Sequence, residues 1–213
     1  LSAGRASRDA LHEAFEKTGV SDMKFEGYDF SGKTDPQIVG ELLAARDTAA
    51  AGEIVSRVIE LYLAALEARI GPEAVVAKRG AAELLEALAA RTDATLALLT
   101  GNHERGARAK LAPVDFNRYF PFGAFGSDHA DRYELPAIAI ARARDWTGRD
   151  FRGKRVVVVG DSVHDVACGR SMGVKSVAVA TGLTPSERLA GENPDHLFPD
   201  FADVRAVAEA ILG

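Results

Sequence analysis

The chain has 213 residues, 47% hydrophobic and 27% charged, with a net charge of −5. That composition suits one large soluble domain, or a core with a smaller insertion, and it contains no basic block for a nucleic-acid partner. The single cysteine, Cys168, cannot form an intramolecular disulfide, no apolar run reaches the roughly 18 residues of a membrane span, and the opening residues carry no signal-peptide core. The expectation is a cytoplasmic protein without a membrane partner, monomeric or homodimeric.

The first third reads as helices. "SRDALHEAFEKTG" predicts a helix with Ser7 as N-cap and Gly19 as stop, and "TDPQIVGELLAARD" one capped by Thr34 or Asp35 with Pro36 in the first turn. In "GEIVSRVIELYLAALEARIG", Ile54, Val58, Tyr62, Leu66 and Ile70 recur every four residues. Val55, Ile59 and Leu63 widen that row into a broad stripe. Residues 1–78 therefore read as a small helical domain. From 79 to 213 the pattern alternates. A helix "GAAELLEALAART" leads to a strand "ATLALLTGN", then to a helix "HERGARAKLA" and a short strand in "FPFGAFGSD". Next come a helix "ELPAIAIARARDWTG", a strand "KRVVVVGD" and a helix "VHDVACGRSMG". A strand "KSVAVATG", a helix "PSERLAG", an edge strand "DHLF" and a closing helix "FADVRAVAEAILG" complete the chain. Alternation of this kind predicts an α/β fold, a Rossmann-like parallel sheet with helices on both faces, beside the small all-helical domain. The four valines of Val156–Val159 predict a strand buried on both faces.

In such sheets the ligand crevice lies beyond the carboxyl ends of the strands. Three strands here end in polar or glycine-rich tips: "TGN" at 100–102, "GDSVHD" at 160–165 and "TG" at 181–182. Asp161 and Asp165 offer oxygens to a hard cation such as Mg²⁺, which is commonly held by one or two carboxylates, water and a substrate phosphate. The bland alternative is that Asp161 or Ser162 caps the following helix. Thr100, with the backbone of Gly101 and Asn102, has the groups to bind phosphate oxygens, against the alternative that Asn102 is simply an N-cap. His103 reads as a surface residue of the first helical turn. Arg132, in a loop before a helix, is the favoured phosphate cation, while Lys110 reads as solvated near the end of its helix.

"LLTGN", a basic residue at 132 and "VVVVGDSVHD", in this order, resemble the haloacid dehalogenase superfamily, and most nearly its phosphoglycolate-phosphatase-like branch. "GRASRDALHEAF" and "FSGKTDPQIV" resemble the helical cap of those enzymes, so that 1–78 would be the cap and 79–213 the core. The resemblance implies a Mg²⁺-dependent phosphatase acting on a small phosphorylated metabolite through an aspartyl-phosphate. Thr100 would be the phosphoryl-binding hydroxyl and Asp161 the Mg²⁺ ligand, with Asp165 supporting it. Arg132 would stand where the family usually has lysine, with Lys110 as the alternative. Lys33 and Thr34 of the cap would face the substrate's remainder. The family's D-x-D-G-T motif, which carries its nucleophile, does not occur in the 213 residues. The expectation is that a strand bearing it precedes Leu1 in the natural protein. Phosphomutase or phosphonate-hydrolase chemistry and a non-catalytic phosphometabolite-binding module are the competing readings. Dehalogenation is disfavoured by two acids suited to a metal.

Overall fold

The computed structural model describes residues 1, 3–20, 23–46 and 52–213. Its helices are α1 (Ala6–Lys17), α2 (Asp35–Ala44), α3 (Gly52–Arg69), α4 (Ala81–Ala89), α5 (Glu104–Leu111), α6 (Leu135–Thr147), α7 (Val163–Ser171), α8 (Ser186–Gly191) and α9 (Val204–Leu212). Its strands are β1 (Leu98–Thr100), β2 (Gly123–Phe125), β3 (Val157–Gly160), β4 (Lys175–Val179) and β5 (His196–Phe198). This is the α/β class expected. The chain divides into two compact units, one of residues 1–76, 100–117 and 125–132, the other of 77–99, 118–124 and 133–213. Among the described residues no helix is long and apolar enough to cross a membrane.

The first unit is built on α3. Its predicted stripe is the buried face: Val58, Ile59, Tyr62, Leu63 and Leu66 are all buried, with Ile54, Val55 and Ile70 packed at the margin. Leu11 and Phe15 of α1 and Leu42 and Leu43 of α2 complete that core. Thr34 caps α2 by accepting from the Gln37 N–H, with Pro36 in the first turn. The end of the predicted segment, Asp47, lies outside the described residues. The N-terminus of α1 differs from expectation. The helix begins at Ala6, Arg5 is at the N-cap, and no side chain caps it. Ser7 is thus already inside the first turn.

The second unit holds a parallel sheet of order β3-β4-β5, with Val159 opposite Val177 and Val177 opposite His196. β4 is buried throughout. β3 departs from the reading of its valines: Val158 is buried, but Val159 is 39% exposed. The cause is position. Among the described residues β3 pairs only with β4, so it lies at the edge of this sheet, where one flank of the strand has no neighbouring strand. β1 and β2 form a separate two-stranded sheet, and β1 is three residues long where a longer strand was expected. α4 and α9 pack together through Leu84, Leu88 and Val207. Gly80 adopts φ +75° where a Cβ would meet the Phe201 carbonyl oxygen at 2.0 Å, so only glycine fits that turn.

Candidate functional site

In the first unit the end of β1 runs into a hydrogen-bonded loop. The Thr100 hydroxyl oxygen accepts from the Asn102 backbone N–H at 3.2 Å and from its side-chain amide at 2.8 Å. The Asn102 amide oxygen accepts in turn from the Lys110 ammonium at 2.5 Å. The N-cap alternative for Asn102 therefore does not hold. His103 fills that position, its Nδ1 accepting from the Arg105 N–H at 3.3 Å. Freed from capping, the Asn102 side chain links the β1 hydroxyl to a lysine two turns along α5.

Asp35, the first residue of α2, binds the same loop. Its backbone N–H donates to the Gly101 carbonyl at 2.8 Å, and its Oδ2 accepts the His103 N–H at 2.7 Å. The approach requires glycine, since a Cβ on Gly101 would lie 2.2 Å from the Lys33 carbonyl oxygen. Burial pushes the Asp35 carboxyl above its usual range, opposed by the Lys110 charge and the His103 N–H. Burial likewise lowers the Lys110 ammonium, and the Asp35 charge opposes that.

Thr100, Gly101, Asn102, Lys110, Asp35 and Arg132 all line one pocket of this unit, about 470 Å³ in volume. Lys110 is thus a pocket residue, contrary to its reading as solvated. Its position was visible in the spacing: seven residues after His103 is two helical turns, which returns the side chain to the face of the loop. Lys33 also lines the pocket. Its ammonium is held by the Glu41 carboxylate at 2.5 Å and lies 4.2 Å from the centre of the Tyr28 ring. Thr34 does not face a ligand as expected. It is fully buried, its hydroxyl donating to the Ala130 carbonyl at 2.6 Å while capping α2. Asp35, Arg5 and Arg8, also pocket residues, were not singled out in the sequence. Charged residues in a first helical turn look like a solvated face until the neighbouring loop is in place.

In the second unit the tip of β3 meets the loop after β4. A Cβ on Gly182 would lie 2.7 Å from the Asp161 carboxyl carbon. Asp161 is partly buried, and its carboxyl is raised by burial first and by the charge of Asp165 second. Ser162 caps α7, accepting the Asp165 N–H at 3.3 Å, while Asp165 Oδ2 accepts the Ser162 N–H at 3.1 Å and its hydroxyl at 2.7 Å. The capping alternative therefore holds for Ser162 and Asp165 and not for Asp161. The two acids fit a sparsely held cation: Asp161 supplies a desolvated carboxylate and Asp165 a buried negative charge that α7 anchors. No cluster of three or more His, Cys, Asp or Glu suited to a metal occurs among the described residues.

Residues 132–204 match the family described as HAD-hydrolase-like. A phosphoglycolate phosphatase from Agrobacterium fabrum is 32% identical over 123 residues, 58% of this chain and 51% of its own length. A hydrolase from Pseudomonas syringae superposes with a TM-score of 0.72 at 18% identity, over 98% of this chain and 92% of that one. A "predicted phosphoglycolate phosphatase" from Haemophilus somnus gives 0.67 at 18% identity, over 97% and 91%. The chain spans about half the length of the curated relatives it matches. The fold is that of the haloacid dehalogenase-like hydrolases. Residues 132–204 are thus similar to that family, and the curated relatives include two phosphoglycolate phosphatases.

Proposed function

We propose that the protein is a phosphatase of small phosphomonoesters that works with Mg²⁺. The observation that carries this reading is the Thr100–Asn102–Lys110 chain lining one pocket: a hydroxyl, an amide and an ammonium, joined to each other and open to a ligand. Phosphoryl transfer demands positioning and neutralisation of charge on the phosphoryl oxygens. Thr100 and the loop amides would orient those oxygens, and Lys110, with Arg132, would offset their charge. Asp161 would hold the metal, with Asp165 fixing the turn and adding negative charge. When bound, Mg²⁺ would supply a positive centre at the tip of β3.

The family's aspartyl-phosphate route starts from D-x-D-G-T, which the 213 residues do not contain, so the first test is of binding. Titration calorimetry of inorganic phosphate into the protein with Mg²⁺ should show saturable binding. Thr100→Val and Lys110→Met should each weaken it by about tenfold, the loss of a hydrogen bond to a charged group. Unchanged affinity in both variants would remove the phosphoryl assignment. Asp161→Asn should weaken Mg²⁺ binding by a comparable factor, since it removes the charge and keeps the shape. A binding module without turnover is the second reading. Release of inorganic phosphate from a panel of phosphomonoesters separates the two.

A further inference from the structure

A phosphoryl group alone does not use the whole pocket around the Thr100 loop. Its lining also includes Leu11, Phe30, Ile38, Val39 and Tyr62, the apolar and aromatic wall that suits the organic part of an ester. Asp35 lines the same pocket with only half of its carboxylate engaged. Oδ2 accepts the His103 N–H, whereas Oδ1 accepts no hydrogen bond from any of the described residues. Nor is Oδ1 sealed inside the protein, so it opens onto the pocket. Burial pushes this carboxyl up, while the Lys110 charge and the His103 N–H favour its ionised form. An ionised carboxylate only accepts hydrogen bonds. Withdrawn from water without a donor, its free oxygen is unfavourably placed, and a ligand that brings a donor removes that cost. Phosphoryl and carboxylate oxygens bring none. A hydroxyl or an ammonium would, and the charge of the pocket chooses between them. Asp35 is outnumbered there by Arg5, Arg8, Lys33, Lys110 and Arg132, which favours a neutral donor over a cation.

We propose, building on the phosphoryl reading of the Thr100 loop, that Asp35 reads a hydroxyl on the organic part of the substrate. The pocket would then select phosphomonoesters of hydroxylated alcohols over those of plain alkyl alcohols. Asp35 suits this role because two bonds fix it to the loop, its N–H to the Gly101 carbonyl and its Oδ2 to the His103 N–H. A group anchored in that way measures the separation of the hydroxyl from the phosphoryl group. A hydroxyl donating to a carboxylate also forms the stronger, charge-assisted class of hydrogen bond.

The test compares phosphate esters of matched size by titration calorimetry on the protein in saturating Mg²⁺. In 2-hydroxyethyl phosphate a hydroxyl replaces the terminal methyl of propyl phosphate. The hydroxyl ester should bind about tenfold more tightly, a difference of roughly 1.4 kcal/mol. The ester 2-methoxyethyl phosphate keeps the oxygen and loses the donor, and should bind no better than propyl phosphate. Asp35→Asn keeps an oxygen for the His103 N–H and loses the charged acceptor. The preference for the hydroxyl ester should then fall to about threefold or less, the scale of a neutral hydrogen bond. Equal affinity for the hydroxyl and propyl esters, a methoxy ester that binds like the hydroxyl ester, or a preference that survives Asp35→Asn in full overturns the role of Asp35 alone. Tightest binding by phosphoethanolamine overturns the hydroxyl in favour of a cation. Failure of propyl phosphate to bind, or binding that Thr100→Val and Lys110→Met both leave unchanged, overturns the phosphoryl reading and this role with it. A thermal melt checks the folding of Asp35→Asn, and the methoxy comparison decides on the wild type if that variant unfolds.

Discussion

Among the described residues, Asp35 is the one acidic residue lining a pocket whose other charged residues are basic. The physical account is mutual support. Lys110 is desolvated there, and Asp35 opposes the resulting loss of its proton, while Lys110 and the His103 N–H oppose the protonation of Asp35. Removing either partner alone leaves the other uncompensated. The losses from Asp35→Asn and Lys110→Met taken singly should therefore add to more than the loss in the double variant, with a coupling on the order of 1–3 kcal/mol in a double-mutant cycle by urea unfolding; additivity would show that the two charges do not sense each other. A second charge pair in this unit supplies a pH dependence. The Lys33 ammonium holds the Glu41 carboxyl below the usual glutamate range. Its folded pKa is depressed, so its contribution is present above the unfolded value and fades as pH falls through the folded one. With the Glu41 side chain 40% exposed, the contribution should be only about 0.2–1 kcal/mol. The stability gap between wild type and Glu41→Gln should accordingly be widest near neutrality and close in acid; a gap that widens on acidification would contradict the assignment. At this scale the sequence was least legible. Thr100, Asn102 and Asp161 follow strands and announce themselves. Lys110, Asp35 and Arg8 lie in helices and Arg5 at the start of one, where a charge looks solvated until tertiary packing shows what it faces.

The elements were legible where a local rule acts alone. Proline in the first turn marked α2, the four-residue recurrence marked α3, and the turn residues after β3 marked α7. Where tertiary context decides, local rules leave more than one reading open. Asn102 and His103 are both acceptable caps, and what selects His103 is that Asn102 is engaged by Thr100 and Lys110. The valine run of β3 reports what a sheet can cover, and the exposure of Val159 reports which edge β3 occupies. The reciprocal cap at the start of α7 gives a direct test of element stability against site chemistry. Ser162→Ala removes the acceptor of the Asp165 N–H and a donor to its carboxylate, at a cost of about 0.5–2 kcal/mol. Because that cap also holds Asp165 near Asp161, the same change should weaken Mg²⁺ binding more than its exposure suggests. Ser162→Thr, which retains the hydroxyl, should recover both properties. Lost stability with unaltered Mg²⁺ affinity would confine Ser162 and Asp165 to a structural role.

For the whole molecule, each compact unit brings one part of the proposed chemistry, the phosphoryl pocket in the first and the acidic turn of β3 in the second. Ligands should therefore stabilise the protein and do so in identifiable places. At a hundredfold excess over its dissociation constant, a ligand that binds only the folded state adds about 2.7 kcal/mol. For a chain of this length, each kcal/mol raises the melting temperature by roughly 2–4 °C. Phosphate, supplied with Mg²⁺, should thus raise it by roughly 5–10 °C if the chain melts in one transition. Hydrogen exchange then assigns the effect to segments. Phosphate alone should slow exchange in 30–35 and 100–110, where the backbone ties Asp35 to Gly101 and the Thr100 loop to α5. Mg²⁺ alone should slow it in 160–165, around the Ser162 cap. Thr100→Val should abolish the first pattern and leave the second, and Asp161→Asn the reverse. Protection by phosphate spread evenly over the chain, or confined to exposed arginines outside the pocket, would mean that the anion binds the surface and that the hydrogen-bonded chain from Thr100 to Lys110 serves only the fold.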